Sequence, residues 1–230
     1  MFIVIFEVQP KQERFDDYLG LAKQLKPELE AIDGFIDVER FESKRTKGRV
    51  LSLSTWRDEK SVVRWRTHSG HHQVQQKGRF EVFEDYHLRV GEVTADSHPP
   101  QGFPVQEQRY DVTEIGAAKA VTLTEIAPNP NAKLNTNADA LLSELGCTPT
   151  AAGLMETEVF ESIYNAGKLA ILGSWHDAGA AATWTPNNSG AAASVRHRCV
   201  RVIRDYGMFE RREAPQYYPE VERPAGLFRS

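Results

Sequence analysis

FESKRTKGRVLSLSTW, Phe41 to Trp56, returns as FESIYNAGKLAILGSW, Phe160 to Trp175, without a gap. The two stretches share Phe-Glu-Ser, a central glycine (Gly48 and Gly167) and the closing tryptophan, at an offset of 119 residues. The register persists outward. Trp65 matches Trp184 at 119, Asp85-Tyr86 matches Asp205-Tyr206 at 120, and Glu7-x-x-Pro10 matches Glu125-x-x-Pro128 at 118. Drifts of one residue are what loop insertions leave between diverged copies, so the chain reads as one unit written twice.

Each copy reads as strand, helix, strand, strand, helix, strand. Phe2 to Val8 is a short apolar, β-branched run ended by Pro10, and Val121 to Ile126 before Pro128 repeats it. Phe15, Tyr18, Leu19, Ala22 and Leu25 recur at helical spacing, as do Leu134, Ala138, Leu141, Leu142 and Leu145 in the second copy. Pro27 predicts a kink or a fresh turn in the first helix. A hairpin opens at Gly34-Phe35 and turns at Thr46-Lys47-Gly48, where glycine takes a positive φ without penalty. Asp58 is placed to cap a helix carrying Val62 and Trp65. A further helical piece runs through Gln73 to Lys77, with a break at Ser69-Gly70. RFEVFEDYHLRVGEV, with Phe80, Val82, Leu88 and Val90 near alternation, reads as the last strand.

The order βαββαβ is that of a ferredoxin-like unit. Its sheet has helices on one face and needs a cover for the other, which a second sheet supplies. The fold class is therefore α+β: two tandem ferredoxin-like units closing within one chain into a barrel of the dimeric α+β type. The units are expected over 1–94 and 117–212, with a linker over 95–116 that buries little and a tail over 213–230. Association of two chains into a homodimer stays open.

The 230 residues are 40% hydrophobic and 26% charged, with a formal net charge of -4, which describes a globular protein and excludes a basic nucleic-acid-binding one. The N-terminal run MFIVIF is too short to span a bilayer and lacks the marks of a signal peptide, so a cytoplasmic location and no membrane partner are expected. Cys147 and Cys199 stand far apart and read as reduced and structural.

Gly34-Phe35, Phe41-Glu42-Ser43, LSLSTWRDEKSVVRWR, His72, Gln75-x-x-Gly78-Arg79 and Asp85-Tyr86 together resemble the antibiotic biosynthesis monooxygenase family over nearly all of 1–94. The resemblance implies a small-molecule substrate, a pocket between sheet and helices, and oxygen chemistry. Family members either oxygenate aromatic polyketides without a cofactor or bind and open haem. In the haem-degrading members a tryptophan and a histidine of this helical region stack on and ligate haem, roles that fall here on Trp65 and His72, with Arg66 and Arg79 either toward a propionate or an acidic substrate or, as their positions suggest, solvated helix and strand-end charges. His71, one position away, is expected to point elsewhere. Where those relatives carry an oxygen-contacting asparagine, this chain has Glu7, a carboxylate that reads either as a base on a phenolic or acidic carbon or as a sheet-edge charge paired with a nearby arginine. His68, four residues before His72, offers a second nitrogen for a non-haem metal.

In the second copy the histidine segment is replaced by TPNNSGAAASVRHR, Ala191 stands seven residues beyond Trp184, and His197 comes too late to substitute. The sequence thus predicts a monooxygenase whose site lies in the N-terminal half and binds haem through His72. The alternatives are cofactor-independent oxygenation of an aromatic or polyketide-like substrate and a non-catalytic small-ligand binder. The paired Asp85-Tyr86 and Asp205-Tyr206 are expected to serve strand packing.

Overall fold

The computed structural model describes residues 1–129, 137–147, 151–187 and 192–223. The first copy folds as β1 (Phe2–Pro10), α1 (Phe15–Glu30), β2 (Phe35–Ser43), β3 (Val50–Trp56), α2 (Glu59–Arg66), α3 (Ser69–Lys77) and β4 (Phe83–Asp96). The second supplies β5 (Ala120–Pro128), α4 (Ala138–Glu144), β6 (Leu154–Ser162), β7 (Leu169–Trp175), α5 (Ala178–Thr183) and β8 (Ala192–Gly207). All strand pairs are antiparallel and join one closed barrel in the order β1-β3-β2-β6-β7-β5-β8-β4. Each half is a four-stranded ferredoxin-like sheet, and closure leaves neither with a bare edge.

The repeated Phe-Glu-Ser triplet is itself a seam between the halves. Phe41 pairs with Ser162, Glu42 with Glu161 and Ser43 with Phe160, so the two copies of the motif cross each other about a pseudo-two-fold axis. The serine has a reason to recur: Ser43 Oγ donates to Glu158 at 2.6 Å, and Ser162 Oγ to Glu39 at 2.7 Å. Both hairpins turn through a left-handed glycine, Gly48 at φ +78° and Gly167 at φ +77°. The other seam runs along β4 and β8 from His87↔Gly207 to Asp96↔Arg198.

Strand alternation sorts side chains to two faces. Ile3, Ile5, Leu51, Leu53 and Phe41 of the first half meet Leu123, Phe160 and Leu172 of the second inside the barrel. Toward the barrel ends this core gives way to buried charge. Glu7 accepts from Arg49 at 2.5 Å and from Arg89, whose Nη1 reaches Ser174 of the other half at 2.9 Å. The repeat reproduces it: Glu125 holds Arg198 and, at 2.6 Å, Lys168, while Arg198 donates to Thr55. Burial alone would raise the Glu7 carboxyl, but Arg89 and Arg49 outweigh it and hold it below the usual range.

Several local expectations need correction. Pro27 sits inside an uninterrupted α1. The helix break falls at Thr67-His68, and Ser69-Gly70 begin α3. Gly78–Val82 form a π-helical turn, so the last strand of the first copy begins only at Phe83. The connector is not idle, because Phe103 and Val105 pack on the barrel core and Glu92, fully buried, accepts from the backbone N–H groups of Gln108 and Arg109. Leu134 and Ala191 lie outside the described residues. Among those described, no helix is long and apolar enough to cross a membrane.

Candidate active site

On the outer face of the first sheet, a cavity of about 200 Å³ lies beneath α1, α2 and α3. Its floor is the opposite side of the strand alternation: Val4 and Phe6 of β1, Ser52 and Ser54 of β3, Leu88 and Val90 of β4. Tyr18, Leu25 and Leu29 of α1 and Val62 of α2 wall it, which makes it largely apolar. The α2 wall is fixed by its cap, where Asp58 accepts from Ser61 N at 2.8 Å as the sequence predicts.

The second half completes this cavity. Arg204 and Tyr206 enter from β8, and Arg211, Gln216 and Tyr218 from the segment after it. That segment is tied down by Gln216 Nε2 donating to the Arg66 carbonyl at 3.1 Å, by Tyr218 hydroxyl donating to Gln75 at 3.0 Å, and by Arg79 donating to the Met208 carbonyl at 2.7 Å. Tyr86 and Tyr206 therefore both face the cavity, whereas the sequence suggested strand packing alone. Nothing in the local pattern announces contacts between residues so far apart in the chain.

Trp65 and Arg66 line the cavity as expected, and the histidine beside them is His71. Its ring stacks on the Trp65 indole with centroids 4.2 Å apart and planes 11° from parallel. His71 Nδ1 lies 3.0 Å from the Trp65 carbonyl, so Nδ1 carries the proton and Nε2 is left as an acceptor. Burial pushes its pKa down to about 4, leaving the ring neutral. The expectation that His71 points away is reversed because α3 begins at Ser69 and sets its own phase. His72 turns outward, outside the lining, where Tyr218 hydroxyl meets its Nδ1 at 3.1 Å. His68 Nδ1 stands 3.3 Å from Glu28. Among the described residues no set of three His, Cys, Asp or Glu side chains could hold a metal ion.

Glu7 belongs to the barrel face and not to the cavity, since it stands in odd register with Ile3 and Ile5 while Val4 and Phe6 face the helices. The carboxylate the sequence offered as a base is thus across the sheet from this cavity. Arg79 is 3% exposed and not the solvated charge expected of it. The polar groups that do converge were missed: the buried Tyr18 hydroxyl, with Arg40 and Ser52 beside it in the lining. Burial raises the Tyr18 pKa, so it stays a protonated donor.

Haem does not fit this cavity. A void of about 150 Å³ takes a benzene ring, whereas pockets that enclose drug-sized ligands span roughly 300–1,000 Å³. At about 200 Å³ there is room for one ring and short substituents, not for a porphyrin with two propionates, and His72 does not face the space.

In the second half the described residues at the corresponding place pack into one cluster. Trp184, the counterpart of Trp65, stacks on Trp175 at 6.4 Å and packs with Leu141, Leu142 and Leu145 in one buried cluster. His197 meets the Trp184 ring edge-on at 5.0 Å, and its Nδ1 lies 2.8 Å from Thr124 Oγ1.

Comparison with known proteins agrees with this architecture. The family described as "Antibiotic biosynthesis monooxygenase" matches residues 1–77. A protein of Pyricularia oryzae named "Jasmonate monooxygenase ABM" is 44% identical over 224 residues, covering 95% of this chain and 99% of its own. The protein YqjZ of Bacillus subtilis is 29% identical over 92 residues, 40% of this chain and 78% of its own. Among solved structures, an aldoxime dehydratase in complex with butyraldoxime superimposes with a TM-score of 0.53 at 10% identity, over 88% of this chain and 79% of its own, a likeness of fold.

Proposed function

The chain belongs to the antibiotic biosynthesis monooxygenase family and is a monooxygenase, and from that premise we propose that it oxygenates a single-ring substrate in the N-terminal cavity without haem. The observation that carries this is the asymmetry of the halves: one keeps a 200 Å³ space under its helices, while the other fills its own with Trp184. The name of the Pyricularia relative supplies the first compound to test, jasmonate, a cyclopentanone with short arms whose size suits the cavity.

Without a cofactor the substrate must reduce oxygen. A C–H beside a carbonyl or phenol gives its proton to His71 Nε2, and the carbanion adds oxygen and a proton to form a hydroperoxide. Loss of water from a hydroperoxide on a former methylene leaves a ketone, so one oxygen atom enters the product, one leaves as water, and the substrate supplies all four electrons. The Tyr18 hydroxyl, supported by Arg40 and Ser52, is the donor suited to the oxyanion that develops. His71 is a weak base in the empty cavity, but an enolate forming beside it offsets the desolvation that lowers its pKa. The apolar walls exclude water from the carbanion.

The test is oxygen uptake and product mass with metal-free, haem-free protein and jasmonate or an activated cyclic ketone. Turnover in that protein, lost in Ala22→Phe with an unchanged melting temperature and kept in His197→Ala, is the expected result. Turnover that requires added haem, with a Soret band retained through gel filtration, overturns the proposal.

A further inference from the structure

Most described arginines outside the cavity are paired, among them Arg49 and Arg89 with Glu7, Arg57 and Arg64 with Asp33, Arg109 with Glu59 and Asp111. Inside it the rule breaks. Arg40, Arg66, Arg79, Arg204 and Arg211 all line the cavity, and among the described residues none forms an ion pair with a carboxylate. The carboxylate in the same lining, Glu59, is already held by Arg109 at 2.6 Å. The cavity therefore carries an excess of positive charge within largely apolar walls, where an unpaired charge is costly.

Arg79 and Arg211 spend their guanidinium groups on neighbours. Arg79 donates to the Met208 carbonyl and to Tyr86, and Arg211 donates to Tyr86 and the Gln216 carbonyl while lying over the Tyr206 and Tyr218 rings. Arg66 and Arg204 do neither: among the described residues neither guanidinium has a hydrogen-bond partner, and the Arg66 Nε, like that of Arg40, is fully buried without one. Arg66 lies, with Arg204 and Arg211, near enough to Tyr206 for all three charges to act on that hydroxyl. A guanidinium presents its donors in a planar fork that matches a carboxylate in two parallel bonds.

We propose that the cavity selects a ring-bearing carboxylic acid, with Arg66 as the residue that takes the carboxylate and Arg204 and Arg211 as the flanking cations. The proposal rests on reading this cavity as the oxygenation site and adds what that reading leaves open, the residue that recognises the substrate and the part the carboxylate plays in its binding. The carboxylate then anchors one end of the molecule at the α2–β8 side, and the ring extends over the apolar floor.

The experiment separates the two ideas by measuring binding and oxygen uptake independently on the full chain. Jasmonate and its methyl ester form one probe pair, phenylacetate and methyl phenylacetate another, with affinity read by calorimetry. Each acid is expected to bind at least about tenfold more tightly than its ester, a difference of about 1.4 kcal/mol. Arg66→Met should bring the ratio near one while leaving ester affinity unchanged, Arg66→Lys should restore part of it, and Arg64→Met, outside the lining, should leave it intact. Esters that bind as well as acids, acids that do not bind, or an acid preference that survives Arg66→Met would overturn the proposal. Acid-selective binding without oxygen uptake supports the anion site while removing the oxygenation reading, and equal uptake and binding on acid and ester does the reverse.

Discussion

Replacing His71 by glutamine tests whether its ring is held neutral by burial. In the unfolded chain the imidazole takes up a proton as pH falls through 6.5, and in the folded chain it resists until about 4. Between those values the unfolded state binds more protons, so stability falls with falling pH at about 1.4 kcal/mol per unit. From pH 8 to pH 5, above the range where carboxylates protonate, this residue alone should remove about 2 kcal/mol. For a chain of this size that is a drop of about 4–8 °C in melting temperature. His71→Gln keeps a donor for the Trp65 carbonyl and deletes the titration, so its melting temperature should fall by that much less over the same interval. Differential scanning calorimetry of both proteins at pH 8, 6.5 and 5 reads the difference directly, because all other histidines are common to the pair. If the two curves fall in parallel, the ring is not desolvated, and the cavity wall at Trp65 is not as described.

Glu7→Gln should cost about 3–5 kcal/mol in urea unfolding, because it leaves Arg89 charged and buried without its partner; a loss below about 1 kcal/mol would mean water reaches the barrel end. Residues 1–94 expressed alone present β2 and β4 as open edges and an uncovered sheet face, so light scattering should find dimers or larger species, and a stable monomer would contradict the closure argument. Truncation after Gly207 removes Arg211, Gln216 and Tyr218 from the cavity, and calorimetric affinity for phenylacetate should fall by at least about tenfold; unaltered affinity would make the segment a bystander.

The barrel was legible in the sequence because its evidence is local and doubled. A hairpin signature, a glycine at a left-handed turn and a strand ended by proline each recur, and the unsatisfied sheet face forces the two units together. The site was half legible. Trp65 and Arg66 sit on α2, whose phase is fixed by the Asp58 cap; Trp65 lines the cavity as the sequence suggested, while Arg66, read also as a solvated helix charge, lines it too. His71 and His72 sit on a helix whose start was misread by a few residues; each residue turns a helix by about 100 degrees, enough to exchange inside for outside. Glu7 was misplaced by strand parity, since one step along β1 moves a side chain to the other face of the sheet. Arg211 and Tyr218 left no trace, and Tyr206 showed only as half of a repeated pair, because their distance from α2 along the chain exceeds anything periodicity can report.

The halves that meet at the Phe-Glu-Ser seam are also joined by the covalent connector between β4 and β5, where separate subunits would meet by diffusion, and this frees them from identity. In a dimer of identical subunits every substitution is made twice, so a cavity cannot be filled on one side and kept on the other. Here Trp184 adds packed core to one half, while the other retains an unfilled hollow that weakens it. The partner is always present at high effective concentration, and the packed half can hold up the half that carries the cavity. Selection can then act on the two copies of a single ancestral design as on different genes.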